Sequence, residues 1–189
     1  MHLSALILCC LGPPQLQDQL SHTATTLDAG ESVPVIDGVL DEPLWGRIPA
    51  LTGLRQVLPE TGAPASERTE VRFCFGPDEL FVGVSCFDSE PALIRQVNMA
   101  RDARLYADDR FELLFDTFDD DRNAFWFQMS AAGSRGDALI TKNGSSFNKP
   151  WNGLWQGRAT VTDEGWFSEL AIPYATLNFD PETSDWGFN

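Results

Sequence analysis

Two runs of alternating side chains, separated by an acidic break, constrain the fold of this chain more than any other feature. Over residues 111–116 and again over 125–130, every second side chain is Phe, Leu or Met. Residues 119–123 between the runs are rich in Asp and Asn. A period of two with aromatic enrichment is typical of half-buried strands, and a polar break is typical of a turn. The sequence therefore predicts two antiparallel strands joined by a loop at residues 119–123.

A second hairpin is predicted over residues 69–87. With a turn at residues 76–79, Phe75 faces Leu80 and Phe73 faces Val82, so one face of the hairpin is uniformly apolar. The same register places Cys74 and Cys86 on opposite faces, several residues apart. A disulfide between them is therefore not expected, and two buried free thiols are.

Further along, residues 154–172 predict a third hairpin, with its turn at residues 162–165. Residues 133–150 read as a loop, because Gly136-Asp137 and Asn143-Gly144 are turn signals. Near the start of the domain, Pro43 opens a helical turn that carries Leu44 and Trp45 inward.

Short hairpins with frequent turns and little helical periodicity indicate an all-β fold, an antiparallel β-sandwich with short helical turns. The length of 189 residues suits one domain with a real core. We assign this domain to residues 33–189. Because the sequence stops on the apolar-rich WGFN, we expect the domain to be truncated at its C-terminal end.

The first 32 residues are predicted to be a signal peptide and a flexible leader. Residues 3–11 form an apolar run of about the length of a signal-peptide core, far shorter than the roughly 20 residues of a membrane-spanning helix. Residues 12–32 are rich in Pro, Gln, Ser and Thr and have no apolar period. We therefore expect an exported protein located in the periplasm, in the outer membrane or outside the cell.

Composition excludes several classes of function. The chain has 13 basic and 28 acidic residues, a net charge of −15, so attraction to nucleic acid or anionic lipid is not expected. No CxxC pair is present, and this excludes a zinc site of ordinary spacing. The histidines, His2 and His22, precede the domain, which argues against nucleophilic catalysis by a Ser-His or Cys-His pair.

The acids near the first hairpin loop admit three interpretations. Their oxygens suit Ca²⁺, although Ala124 and Ser130 stand where an EF-hand requires Gly and Glu. Alternatively, they accept hydrogen bonds from the backbone N–H groups of their own turn. A glycosidase pair formed by Glu112 or Asp116 with Glu169 or Asp109 is the third interpretation, but nothing in the sequence places these acids in a cleft. The predicted metal ligands are Asp116, Asp119, Asp121 and Asn123.

Five motifs occur in a specific order: IDGVLDEPLW at residues 36–45, the stretch from DDRFELLFD to RGDAL at 108–139, W-x3-W at 151–155, DEGWFSELAIPYATLNF at 163–179, and WGFN at 186–189. In this combination they resemble the family 9 carbohydrate-binding-module-like domain. More narrowly, they are similar to the version at the front of large bacterial envelope proteins, where an outer-membrane barrel region follows. The resemblance spans nearly all of residues 33–189.

The resemblance implies a jelly-roll or DOMON-like β-sandwich that binds a polysaccharide or oligosaccharide. Such a module would serve carbohydrate catabolism by targeting a larger envelope protein. The alternative is a non-catalytic structural or interaction domain of an outer-membrane protein that no longer binds sugar. Contact with a membrane is expected only through a further C-terminal region. Related modules bind structural calcium, so calcium is also implied. Related domains that carry haem hold it with Met and His, and the absence of His from residues 33–189 excludes haem of this kind.

Sugar binding requires flat aromatic faces and planar polar side chains. Trp126 points away from the Phe125 and Phe127 face, and Trp151 follows a Gly-, Ser- and Asn-rich loop, so these two tryptophans form the predicted platform. Packing in the core is the alternative for either ring. The complete set of predicted ligand-binding residues is Trp126, Trp151, Trp155, Arg104 and Gln128.

Overall fold

The computed structural model describes residues 4–7, 20–180, 182 and 185–189. The strands in this part are β1 (Ser4–Ile7), β2 (Leu20–Thr23), β3 (Thr25–Thr26), β4 (Thr69–Phe75), β5 (Glu79–Phe87), β6 (Arg110–Asp116), β7 (Ala124–Ser130), β8 (Arg135–Thr141), β9 (Ser146–Asn148), β10 (Gln156–Thr162), β11 (Gly165–Pro173) and β12 (Asp185–Phe188). The helical elements are α1 (Pro43–Arg47) and a 3-10 turn, Pro91–Leu93. None of the helices in these residues has the length and apolar character needed to cross a bilayer.

The strands form two sheets that pack face to face. One sheet has seven strands in the order β2-β1-β12-β6-β7-β8-β9, and the other has five in the order β10-β11-β5-β4-β3. All neighbours are antiparallel except two parallel pairs, β1 with β12 and β3 with β4. This arrangement confirms the predicted antiparallel β-sandwich with short helical turns.

The central hairpin consists of the two predicted antiparallel strands, β6 and β7. Phe115 lies opposite Phe125 and Leu113 lies opposite Phe127, so the inward rows of β6 and β7 carry aromatic and aliphatic side chains. These rows pack against inward residues of the five-stranded sheet in one hydrophobic core. For example, the Phe73 ring on β4 lies 6.2 Å from the Phe115 ring. The alternation of apolar and other side chains in the sequence therefore separates the core face of β6 and β7 from their outer face.

The hairpin of β4 and β5 has the predicted register. Phe73 pairs with Val82, Cys74 with Phe81, and Thr69 with Cys86. Cys74 and Cys86 are free thiols, as predicted, but only Cys74 is buried and Cys86 is half-buried. The predicted helical turn is α1, and its Leu44 and Trp45 are buried against the outer face of the five-stranded sheet.

The prediction of a loop over residues 133–150 is wrong, because this segment contains β8 and β9. A buried charge hides the strand pattern: Asp137 points inward, opposite Phe127, and is fully buried. Its carboxylate accepts hydrogen bonds from Trp155 Nε1 at 2.8 Å and from Arg101 Nη2 at 2.5 Å. A charged residue therefore occupies a core position that a hydrophobic pattern cannot reveal.

Part of the predicted leader belongs to the sandwich. Thr25–Thr26 pairs with β4, the Leu27 N–H donates to the Phe75 carbonyl, and Ala24 is buried in the core. The paired structure therefore begins before Val33. Of the predicted signal peptide and leader, residues 1–3 and 8–19 lie outside the described part of the chain.

Candidate functional site

The outer face of the seven-stranded sheet carries a polar and aromatic surface at its centre. In one row Glu112, Gln128 and Gly136 lie side by side on β6, β7 and β8, and in the next row Trp126 lies between Leu114 and Ala138. We call these six residues the β6–β8 face. They occupy the positions that alternate with the core residues, so the pattern that builds the core also builds this surface.

Glu112 organises the β6–β8 face. Its carboxylate accepts hydrogen bonds from Trp126 Nε1 at 3.1 Å, from Gln128 Nε2 at 3.1 Å and from Arg110 Nε at 2.9 Å. The Glu112 side chain is 37% exposed. These bonds fix the indole and amide planes, as a preformed recognition surface requires, while one edge of the carboxylate stays open to solvent.

A lysine covers the Trp126 ring. Lys149 Nζ lies 4.7 Å from the ring centroid and forms an ion pair with Asp102 at 2.9 Å. The lysine reaches this position because Gly136 has no side chain: a Cβ there would lie 2.8 Å from Nζ. The Phe147 ring meets Trp126 edge-on at 5.3 Å, and Trp126 is only 8% exposed. The Trp126 ring is therefore covered by the Lys149 ammonium group and by the Phe147 ring.

An exposed aromatic residue stands beside this face. Tyr106, in the loop before β6, is 85% exposed. The Arg110 guanidinium lies 5.7 Å from the Tyr106 ring, donates from Nη1 to the Leu105 carbonyl at 2.8 Å, and donates from Nε to Glu112. One arginine therefore ties the Tyr106 loop to the central carboxylate. The sequence prediction missed Tyr106, although an aromatic residue in the polar stretch ARLYADD was the available signal.

The loop that presents Tyr106 is held by Asp108. The Asp108 Oδ1 accepts the backbone N–H groups of Val97 and Asn98 at 2.6 and 2.8 Å, and Oδ2 accepts the Asn98 side-chain amide at 2.7 Å. Desolvation raises the pKa of Asp108, but these hydrogen bonds and the nearby Arg110 charge outweigh it and hold that pKa below its ordinary value. The loop conformation is therefore fixed by an ionised, well-satisfied carboxylate.

The predicted ligand-binding residues lie on two sides of the seven-stranded sheet. Trp126 and Gln128 lie on the β6–β8 face, and the exposed Arg104 is in the same loop as Tyr106. Trp151 instead packs inward, 5.4 Å from the Phe125 ring. Trp155 is buried, 5.3 Å from the Phe127 ring. The structure does not bring Trp126 and Trp151 side by side, because the two rings lie on opposite faces of the seven-stranded sheet.

Comparison with known proteins gives matches by structure. A family 9 carbohydrate-binding module from Caldicellulosiruptor kristjanssonii in complex with cellotriose matches with a TM-score of 0.60 and 12% identity, over 87% of this chain and 72% of that one. The fold is that of a family 9 carbohydrate-binding module. The glucose complex of such a module from the same organism matches with a TM-score of 0.59 and 13% identity, over 87% and 75% of the two chains.

A third solved structure is also similar to this chain. A protein described as carbohydrate-binding from Bacteroides uniformis matches with a TM-score of 0.60 and 13% identity, over 81% of this chain and 72% of that one. By sequence, no protein-family model and no curated protein matches this chain. The fold of these modules is therefore shared at low sequence identity.

In this fold the acidic loop between β6 and β7 is a hydrogen-bonded turn. Asp116 accepts the backbone N–H groups of Phe118, Asp120 and Asp121 at 2.7 to 3.2 Å. Asp120 accepts those of Arg122 and Asn123. The described residues contain no group of three or more His, Cys, Asp or Glu side chains arranged to hold a metal ion. The interpretation in which these acids satisfy their own turn has direct support.

Asp119 lies among other acids in the same turn. Desolvation is the largest cause of the raised pKa of Asp119, and the charges of Asp116, Asp121 and Asp185 add to it. A cation would relieve this repulsion. Calcium at Asp116, Asp119, Asp121 and Asn123 remains a prediction.

Glu112 and Glu169, one of the pairs considered for catalysis, are not neighbours. Glu169 lies on the outer face of the five-stranded sheet, opposite Gly83 of β5, whereas Glu112 lies on the outer face of the other sheet. Glu169 is fully buried and accepts hydrogen bonds from Trp45 Nε1 and from the backbone N–H groups of Asp37 and Gly38. Glu112 and Glu169 therefore cannot flank one glycosidic bond, and Glu169 anchors the segment that precedes α1.

Proposed function

We propose that this protein binds carbohydrate on the β6–β8 face and the adjoining Tyr106 ring. The observation that carries the proposal is an exposed aromatic ring tied by Arg110 to a hydrogen-bonded carboxylate, Glu112, which is itself 37% exposed on the outer face of the sheet. The neighbours in the fold support it, since structures of a family 9 module from Caldicellulosiruptor kristjanssonii contain cellotriose in one case and glucose in the other.

The chemistry of the surface suits a neutral sugar. The flat Tyr106 ring offers a stacking partner for the apolar C–H face of a pyranose. Glu112 and Asp102 offer acceptors, and Arg110 and Lys149 offer donors. Acidic and basic side chains alternate around the surface, so no strong field selects charged sugars. Displacement of Lys149 from the Trp126 ring would add a second aromatic contact.

The wider role is also a proposal. The apolar run at residues 3–11 and the resemblance to modules of bacterial envelope proteins support an exported protein of the periplasm, outer membrane or cell exterior. In that setting the domain would target a larger envelope protein to polysaccharide and so serve carbohydrate catabolism. Binding alone meets this role, and no cleavage step is required.

The first prediction concerns Tyr106. Tyr106→Ala should weaken binding of cellotriose by about tenfold or more, because loss of a stacking ring removes about 1.4 kcal/mol or more. Tyr106→Phe should bind within about twofold of the wild type, because the ring remains. Calorimetric titration with cellotriose and glucose, preceded by affinity electrophoresis on a panel of polysaccharides, measures this.

The control for Tyr106→Ala is Val35→Ala. Val35 is also an exposed apolar residue, 66% exposed, in the segment before α1. Its backbone N–H bonds Glu42, and alanine retains that group. Equal losses in Val35→Ala and Tyr106→Ala would contradict a site at Tyr106, and an absence of retardation by every polysaccharide would contradict sugar binding.

A second candidate function is a structural or interaction domain that does not bind sugar. Exposed apolar side chains in the Tyr106 loop favour it: Met99 is 78% exposed and Val97 is 64% exposed. The two functions differ in one measurement. A domain of this second kind would show no saturable heat with any sugar, and the Tyr106→Ala variant would then behave as the wild type.

The predicted calcium has its own test. Binding at the loop of residues 116–123 would raise the melting temperature in the presence of calcium, and a chelator would lower it again. The matched variant is Asp119→Asn, which removes one carboxylate and no backbone hydrogen bond of the turn identified above. Identical melting temperatures of the wild type in calcium and in EDTA would exclude the site.

A further inference from the structure

A cavity of about 450 Å³ lies on the outer face of the five-stranded sheet, on the opposite side of the sandwich from the β6–β8 face. Its floor is one register row across four strands: Thr160 on β10, Phe167 on β11, Ser85 on β5 and Glu70 on β4. Its wall is the segment of residues 38–46, which includes the start of α1. We call this space the back cavity.

The wall of the back cavity is anchored one row away from the floor. Leu40 and Trp45 pack over Gly83, where a Cβ would lie 2.7 Å from Leu40 Cδ2 and 3.0 Å from the Trp45 ring. Glu169 holds the same segment by hydrogen bonds to Trp45 Nε1 and to the Gly38 backbone N–H. The wall therefore cannot collapse onto the small side chain of Ser85. The cavity is a fixed consequence of how α1 docks.

The floor offers an aromatic face. The rings of Phe87 and Phe167 lie 5.7 Å apart and nearly perpendicular, at 89°. The Arg68 guanidinium lies 3.6 Å from the centre of the Phe87 ring. Phe167, which is half-buried and lines the cavity, is therefore the ring best placed to stack on a ligand.

Polar groups surround this ring. Glu70 is neutralised by ion pairs with Arg68 and Arg72, each at 2.8 Å. The buried Arg72 Nε–H has no hydrogen-bond partner among the atoms of the described residues. Hydroxyl groups of Ser85 and Thr160 complete the floor. An aromatic face, hydroxyl groups and a guanidinium with an unused donor are the groups that recognise a polyhydroxylated ring.

The charge at the rim and the volume of the back cavity restrict the kind of ligand that it can bind. Exposed carboxylates of Asp41, Asp163 and Glu164 stand at the rim, so an anionic sugar would be repelled. A volume near the lower end of small-molecule sites, about 300 to 1,000 Å³, suits one ring and not an extended chain.

We propose that the back cavity is a second carbohydrate site, which takes a single neutral sugar ring. The protein would then hold sugars on opposite faces of the sandwich at the same time. The site uses none of the residues of the β6–β8 face and does not depend on binding there.

Binding at the two sites can be measured separately, because different indole and amide signals lie at each site. Nitrogen–proton correlation spectra of the labelled protein are recorded while glucose is added to about 50 mM, since single-ring ligands bind weakly. Saturable shifts of the Trp45 indole and of the Gly46 and Thr160 amides are expected from the back cavity. Shifts of the Trp126 indole and the Gly136 amide report the β6–β8 face. Glucuronate should leave the back-cavity signals unmoved.

Two variants test the back cavity directly. Ser85→Leu fills the floor and should abolish the saturable shifts of Gly46 and Thr160. Phe167→Leu keeps an apolar contact with Phe87 but removes the flat ring, and should raise the glucose dissociation constant about tenfold. Tyr106→Ala should leave the back-cavity shifts unchanged. The dispersion of each spectrum shows whether the variant is folded.

The outcomes distinguish this proposal from the function proposed for the other face. Glucose shifts confined to the Trp126 indole and Gly136 overturn the back cavity and leave the first site standing. Shifts confined to Trp45, Gly46 and Thr160 support the back cavity and overturn the first site. Equal shifts with glucose and glucuronate would overturn the stated preference for a neutral ring.

Discussion

Replacement of Asp137 by alanine should cost about 3 kcal/mol of the free energy of unfolding, because removal of one partner from a buried charged network is among the most destabilising changes. The Asp137 carboxylate accepts Trp155 Nε1 at 2.8 Å, the Gly153 N–H at 3.2 Å and Arg101 Nη2 at 2.5 Å. Without it, two buried N–H groups lose their acceptor and a guanidinium loses its counter-charge. Domains are typically stable by about 5 to 15 kcal/mol, so the variant would be marginal.

The matched control is Asp102→Asn, because Asp102 has a φ of 59°, a backbone conformation that asparagine adopts more readily than alanine. Asp102 pairs with Arg101 at 3.6 Å and with Lys149 at 2.9 Å, but its side chain is 40% exposed, so the loss of its charge should cost less than about 1 kcal/mol. Urea unfolding at neutral pH measures both variants. With a slope of about 2 kcal/mol per molar, Asp137→Ala should lower the midpoint by about 1.5 M. Equal midpoints for the two variants would show that Asp137 does not anchor the strand.

The same residue shows why part of the fold could not be predicted from the sequence. The two faces of β6 and β7 could be predicted from the alternation of aromatic residues, because successive side chains of a strand point to opposite faces of the sheet. In β8 the inward position opposite Phe127 is Asp137. Its burial depends on Arg101 and Trp155, which are distant in sequence, so no local pattern predicts it.

Of the candidate site, only the residues that lie on strands could be predicted from the sequence. Trp126 and Gln128 were placed on an outer face because they alternate with Phe125 and Phe127, and that placement holds. The platform of Trp126 with Trp151 required knowledge of how the chain crosses the end of the sandwich. Trp151 turns inward there and packs on Phe125. Such a crossing depends on tertiary packing and not on periodicity.

Tyr106 was missed for a different reason. Loop residues have no period, and the importance of Tyr106 comes from its exposure and from Arg110, which reaches its ring from β6. The arginine predicted from this region, Arg104, lies in the same loop. Sequence reasoning selected the loop of the proposed site but chose a charged residue in it and not the aromatic ring.

The second large effect is a pH dependence of stability that arises from Glu169. Burial raises the pKa of Glu169 from an ordinary value of 4.5 to about 7, although hydrogen bonds from Gly38, Asp37 and Trp45 oppose the rise. The folded protein therefore holds this proton more tightly than the unfolded chain does. The stabilisation is fully present below pH 4.5 and is lost as the pH rises through 7. Its size is at most about 3 kcal/mol.

Glu169→Gln isolates this contribution, since glutamine has a similar volume and does not titrate. Between pH 5 and pH 8 the free energy of unfolding of the wild type should fall by about 2 to 3 kcal/mol more than that of Glu169→Gln. Glu90→Gln, at an exposed acid, should follow the wild type. Urea unfolding at both pH values measures the three proteins. Parallel pH profiles for the wild type and Glu169→Gln would mean that the carboxylate stays ionised throughout, held by its three donors.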